Sequence, residues 1–130
     1  MKKSTLIAVL ILSVVTIVFL SYSCGEKPLN PSIVKENATI VIEGNPNIRS
    51  FPRVPDLKVE PSNSLGKVSG TTTMHVTILY EENRDVHNGK FYGILIKDIE
   101  SNPEIAKKFP KDLGKDEIVW INHRYITILP

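Results

Sequence analysis

Polar and apolar residues alternate along residues 71–80, with Met74, Val76, Ile78 and Tyr80 on one side and Thr71, Thr73, His75 and Thr77 on the other. A period of two puts successive side chains on opposite faces, so the pattern predicts a half-buried strand with a threonine-rich outer face. Residues 81–89 form a polar stretch that closes on Asn88-Gly89, a turn signal. Residues 90–99 are apolar on both faces and predict a return strand nearer the centre of a sheet. Gly93 inside that run marks a bulge or a close backbone approach.

The period changes at Ser101. Ser101 and Glu104 have capping-box spacing, and Pro103 falls in a first turn, where a missing N–H costs nothing. A helix is therefore predicted, with Ile105, Ala106 and Phe109 inward and its end set by Pro110. Two apolar runs, 117–121 and 124–129, flank Asn122-His123. They predict a hairpin with Asn122 at positive φ, or one long strand with a kink. Earlier in the chain, the β-branched run 38–43 ends at Gly44-Asn45-Pro46 and predicts a short strand; another is expected at 65–68. The expected fold is mainly β with one short helix and a β-β-α-β-β core. It is either a small barrel with the strand order of an OB fold or a compact antiparallel sheet or sandwich.

Composition divides the chain further. Six of the nine prolines lie between Gly25 and Gly66, which predicts extended, solvated backbone over much of that stretch. The expected organisation is a membrane segment at 1–23, a tether at 24–37, a proline-rich segment with one strand at 38–65, and a compact β-rich domain at 66–130.

Residues 6–20 are an uncharged, mainly apolar run behind Lys2 and Lys3, with Ser13 and Thr16 its only polar positions. Fifteen residues at 1.5 Å each reach ~22 Å in a helix, against a hydrocarbon core of ~30 Å, which suits the apolar region of an export signal. Thr5 and residues 21–23 extend the run toward the length of an uncleaved anchor. The two leading lysines place residue 25 onward outside the cytoplasm. Small Ser23 precedes Cys24, the only cysteine, with Leu20 four residues before it and Ser21 at the position that Leu takes in a lipobox. With those departures, the segment resembles a bacterial lipoprotein precursor. The resemblance implies lipidation at Cys24 and a chain anchored on the extracytoplasmic side, in the periplasm or at the cell surface. Ser21-x-Ser23 also fits ordinary signal cleavage at the same bond, which would leave Cys24 as a free thiol.

The net charge of +2 belongs to Lys2 and Lys3, leaving 14 basic against 14 acidic residues after Cys24. A neutral exported part gives no counterion-release argument, and no nucleic-acid partner is expected. Lys107, Lys108, Lys111 and Lys115 alternate with acids and read as a solvated face.

Candidate chemistry is sparse. His75, His87 and His123 lack the spacing of a metal site, and Glu81, Glu82 and Asp85 lack that of a calcium loop. No nucleophile elbow or phosphate loop is present, so no catalytic residue, metal or cofactor is expected. Trp120, Tyr125, Tyr92 and Phe91 are expected to cluster on the sheet, either as core packing or, with Arg124, as the candidate binding face of Trp120, Tyr125, Tyr92 and Arg124. The expected role is a non-catalytic accessory or protein-binding subunit of an envelope complex, held on the membrane by lipid or by an uncleaved helix. The alternatives are a β domain that binds a small molecule or glycan, and a histidine-based metal enzyme.

Overall fold

The computed structural model describes residues 29–130; the expected signal segment, Cys24 and the first residues of the tether lie outside the described residues. The fold is mainly β: a seven-stranded antiparallel sheet in the order β3-β2-β6-β5-β4-β1-β7. The strands are β1 (Ser32–Ile42), β2 (Asn47–Arg49), β3 (Ser64–Lys67), β4 (Thr72–Asp85), β5 (Gly89–Leu95), β6 (Ile118–Asn122) and β7 (Ile126–Ile128). Two short helices, α1 (Ile96–Glu100) and α2 (Pro103–Ala106), lie between β5 and β6. The sheet has edges at β3 and β7 and does not close into the barrel that was one expectation.

The expected strand at 38–43 starts at Ser32 and lies inside the sheet, between β4 and β7, so residues 32–37 of the expected tether are paired as well. The alternation of β4 holds through Thr72, Met74 and Val76 inward and Thr73, His75 and Thr77 outward, then changes phase so that Leu79 is buried. At the slip the Thr77 N–H donates to Asp98 Oδ2 at 3.0 Å. Asn37 on the neighbouring strand has φ 51°, and the β1–β4 register shifts near Val34. The strand also runs further than the polar composition of 81–89 suggested, because Glu81 and Glu82 pair with Tyr92 and Phe91 of β5.

The expected single helix is two. The chain turns helical at Ile96, so 96–99 leave the expected return strand, and Asn102 rather than Ser101 caps α2, its Oδ1 accepting from the Glu104 and Ile105 N–H groups. The expected hairpin at Asn122 is also absent. Asn122 has φ −59° and caps a one-turn 3-10 helix, His123–Tyr125. That turn carries the chain from β6, beside β5, to β7, beside β1, so the two runs are separate strands rather than a hairpin or one continuous strand. Joining an interior strand to the far edge through three residues requires the sheet to curl strongly on itself.

The core fills the inside of this curl. Ala38, Ile40, Ile42, Met74, Val76, Leu79, Tyr92, Ile94, Val119 and Ile121 form one buried cluster, closed by Ile99, Phe109 and Leu113 from the helical connection. The other face of β5 and β6 carries Phe91, Gly93, Leu95, Ile118 and Trp120. A Cβ on Gly93 would lie 2.8 Å from the Trp120 ring and from Ile118, so the glycine is there to let the indole lie on the strand. Part of the proline-rich segment covers this face: Pro52 and Pro55 are buried, and Phe51 shares a recess with Ile118 and Trp120.

Candidate functional site

The turn between β4 and β5 is organised by one carboxylate. Asp85 ends β4, where its Oδ1 accepts the N–H groups of His87 at 3.0 Å and Asn88 at 2.9 Å, closing the turn. Its Oδ2 accepts the Asn88 amide N–H at 2.9 Å and the Val54 backbone N–H at 2.9 Å. Burial pushes this carboxyl up, but the four N–H donors outweigh it and hold the group below its ordinary value. Gly89 follows at φ 80°, a conformation that favours glycine, with His123 packed where a Cβ would project.

The Val54 bond pins the 53–60 loop onto the hairpin tip. Arg53 and Glu60 pair across the base of that loop, and the Val59 and Glu60 N–H groups donate to Asp56 O at 3.0 and 2.8 Å to form its turn. The consequence is exposure. Leu57 and Val59 project from the loop, and Val86 at the hairpin tip is 93% exposed.

Beside these tips lies a cleft of about 90 Å³ lined by Asn47, Arg49, Val54, Asn88, Phe91, Asn122, Arg124 and Tyr125. Strand pairing brings them together: Asn122 is opposite Phe91, and Arg49 is opposite Trp120 two pairs further along. Arg49 is half-buried and its guanidinium is held below its ordinary value by burial, against the attraction of Asp85 and Tyr125. The Tyr125 ring rests on Gly44, whose missing Cβ would lie 3.0 Å from its Cδ1.

Of the candidate binding residues, the structure brings Arg124 and Tyr125 into the cleft and sends the other two inward. Trp120 is 1% exposed and Tyr92 8%, so a partner reaches neither. The aromatic group thus splits between core and surface. Arg49 and Asn47 were missed because they sit in the proline-rich segment, where a three-residue strand leaves no periodic signal. In the sequence Asp85 stands out only as one of three acids in a loop that lacks calcium spacing. An Asp three residues before Asn and four before Gly was the available signal for its turn.

A second recess of about 630 Å³ opens along the helical connection, lined by Ile99, Pro103, Ala106, Phe109, Pro110 and Leu113 with Lys107 and Lys111 at the rim. It lacks the convergent polar groups of the smaller cleft. The lysines of this region are solvent-exposed, and Lys107 pairs with Glu104 at 3.1 Å.

His75 lies in the middle of the β1–β4 pairing, opposite Thr39, whereas His87 lies in the turn beyond Asp85. Ten strand residues separate His75 from Asp85, roughly 33 Å along the strand. Among the described residues no group of three or more His, Cys, Asp or Glu side chains is placed to hold a metal ion. Among the same residues no helix is long and apolar enough to cross a membrane. No family model, curated protein or solved structure matches the chain.

Proposed function

We propose that this protein is a non-catalytic, membrane-tethered extracytoplasmic module that binds a protein partner through its hairpin-tip end. One observation carries the reading. Among the described residues seven large hydrophobics are exposed, and five of them belong to the cleft or to the two segments joined beside it: Val54 and Tyr125 line the cleft, Leu57 and Val59 lie on the 53–60 loop, and Val86 is in the hairpin turn to which Asp85 fastens that loop. Scattered surface hydrophobics need no explanation, but a group of this kind rimmed by arginines and asparagines resembles the core and rim of an interface.

The tether supports the same reading. Seven residues lie between Cys24 and Ser32, a reach of at most roughly 29 Å when fully extended. β1 begins opposite Glu81, in the half of β4 that leads to the hairpin tip. A lipid-anchored chain would then work close to the bilayer, within reach of other envelope proteins. The cleft volume favours a macromolecular partner over a free small molecule, since pockets that engulf such ligands hold ~300–1,000 Å³.

Two measurements test the proposal. Intact mass of the membrane-extracted protein is expected to show a chain that begins at Cys24 and carries acyl chains; a chain still beginning at Met1 would remove the lipid anchor. A photo-crosslinking residue at Val86 is expected to trap one discrete partner in native membranes, while the same residue at exposed Thr73 does not. Equal trapping at both positions would sink the binding end.

A further inference from the structure

The cleft holds more cationic hydrogen-bonding capacity than its own residues consume. Arg49 donates from one amino group to Asn63 Oδ1 at 2.8 Å. The Arg124 side chain has no partner among the described residues; only its backbone N–H is engaged, by Asn122 Oδ1 at 3.1 Å. The Asn47 amide oxygen accepts from Ser64 Oγ at 3.1 Å, and its NH2 group has no partner among the described residues. Asn122, by contrast, is committed at both ends, because its amide N–H also donates to Asn88 O at 2.9 Å.

The one nearby acid does not consume this capacity. Asp85 attracts Arg49 through space, but its oxygens already receive four N–H groups from the hairpin and the 53–60 loop. Two guanidinium groups against one carboxylate leave the cleft with about one uncompensated positive charge.

We propose that the cleft is a carboxylate-binding site that receives an acidic side chain or terminal carboxylate of the partner between Arg49 and Arg124. A planar guanidinium presents paired N–H donors that match a carboxylate in a bidentate fashion. Val54, Phe91 and the Tyr125 ring supply the apolar wall for the carbon chain that carries the group. The size agrees, since about 90 Å³ admits a carboxylate and its adjoining methylene but not a whole ligand. The charge selects among oxyanions: one negative charge neutralises the cleft, whereas a doubly charged phosphate overshoots it. The inference rests on the reading of this end as the binding end, and its test does not use the partner.

The full chain in detergent micelles is titrated with acetate, acetamide and inorganic phosphate at fixed ionic strength, reading the Arg49 and Arg124 Nε–H and Asn47 side-chain amide resonances by NMR. Saturable shifts with acetate, none with acetamide, and weaker binding of phosphate are expected. Arg124 is exposed, so Arg124→Gln should fold normally while weakening acetate about tenfold, with Arg124→Lys intermediate. Absence of a saturable acetate shift, equal affinity in Arg124→Gln, or phosphate binding as tightly as acetate would each overturn the assignment. Crosslinking at Val86 without acetate binding would remove the carboxylate site and leave the binding end standing. Acetate binding without a Val86 crosslink would uphold the site and remove the protein-binding reading.

Discussion

The two ends of β4 are built on opposite terms. At the Thr72 end, Met74 and Val76 meet Ile40 and Ala38 of β1 on an apolar inner face. Among the described residues the one buried side-chain polar atom without a hydrogen-bond partner is Thr72 Oγ1 at this end. At the Asp85 end a buried carboxylate with four N–H donors replaces the aliphatic packing, and apolar side chains are turned out to solvent. One end spends its hydrophobic residues on stability. The other holds its backbone with hydrogen bonds and leaves hydrophobic residues free to meet something else. A strand can do both because its register is fixed by burial at one end and by a polar anchor at the other.

Substitutions along β4 and its neighbours should separate the two ends. The largest effect is expected from Ile40→Ala, which opens a cavity against Met74 at the aliphatic end; a loss of about 3–4 kcal/mol in denaturant unfolding is predicted. A loss below about 1 kcal/mol would mean that this end is not the structural one. Asp85→Asn should cost about 2 kcal/mol, since it weakens several charge-assisted hydrogen bonds together. The sign of its pH dependence follows from the lowered pKa. The contribution of Asp85 is present above its ordinary value of 3.8 and is lost as pH falls through the lower value in the folded protein. Unfolding measured between neutral and strongly acid pH should therefore show a shallower decline in Asp85→Asn than in the native chain.

Thr72→Val is predicted to act in the opposite direction and to stabilise by up to about 1 kcal/mol, because it replaces an unsatisfied buried hydroxyl with a methyl of similar size. A clear loss of stability would show that the hydroxyl has a partner, such as a buried water. The smallest effect on stability belongs to the exposed tips. Leu57→Ser combined with Val86→Ser should change unfolding by no more than about 0.5 kcal/mol. The same double variant is expected to lose co-purification of the partner from native membranes. Retention of full partner binding would detach function from this end.

Much of the central sheet was legible from residues alone. The alternation along 71–77, the Asn88-Gly89 turn and the apolar run at 90–95 became β4, its turn and β5, because burial on one face imposes a period that composition cannot hide. Gly93 was legible as a close approach, and the Trp120 ring over it supplies the reason. The failures share a cause. Residues 96–99 look like strand, yet they leave the sheet at Ile96, whose N–H bonds to Glu117 O at 2.9 Å across the connection to β6. Nothing local in that run competes with a strand. Asn122 carried the signal for a positive-φ turn, but its side chain caps the following turn and keeps φ negative. The cleft was half legible: Arg124 and Tyr125 stand in a patterned region, whereas Asn47 and Arg49 come from a segment whose pairing depends on strands far away in sequence.

The sequence by itself determined the main strands of the central sheet, where the main turn falls, and that the chain after Cys24, its one cysteine, is neutral. Those features follow from side-chain period, turn chemistry and charge, all of which are local. Only the tertiary structure decided which aromatics are surface and which are core. It also joined Arg49 to Arg124 and gave Asp85 its four donors. Each of these depends on strands paired across long separations in the chain, and such pairings are set by how the whole sheet curls to bury its inner face.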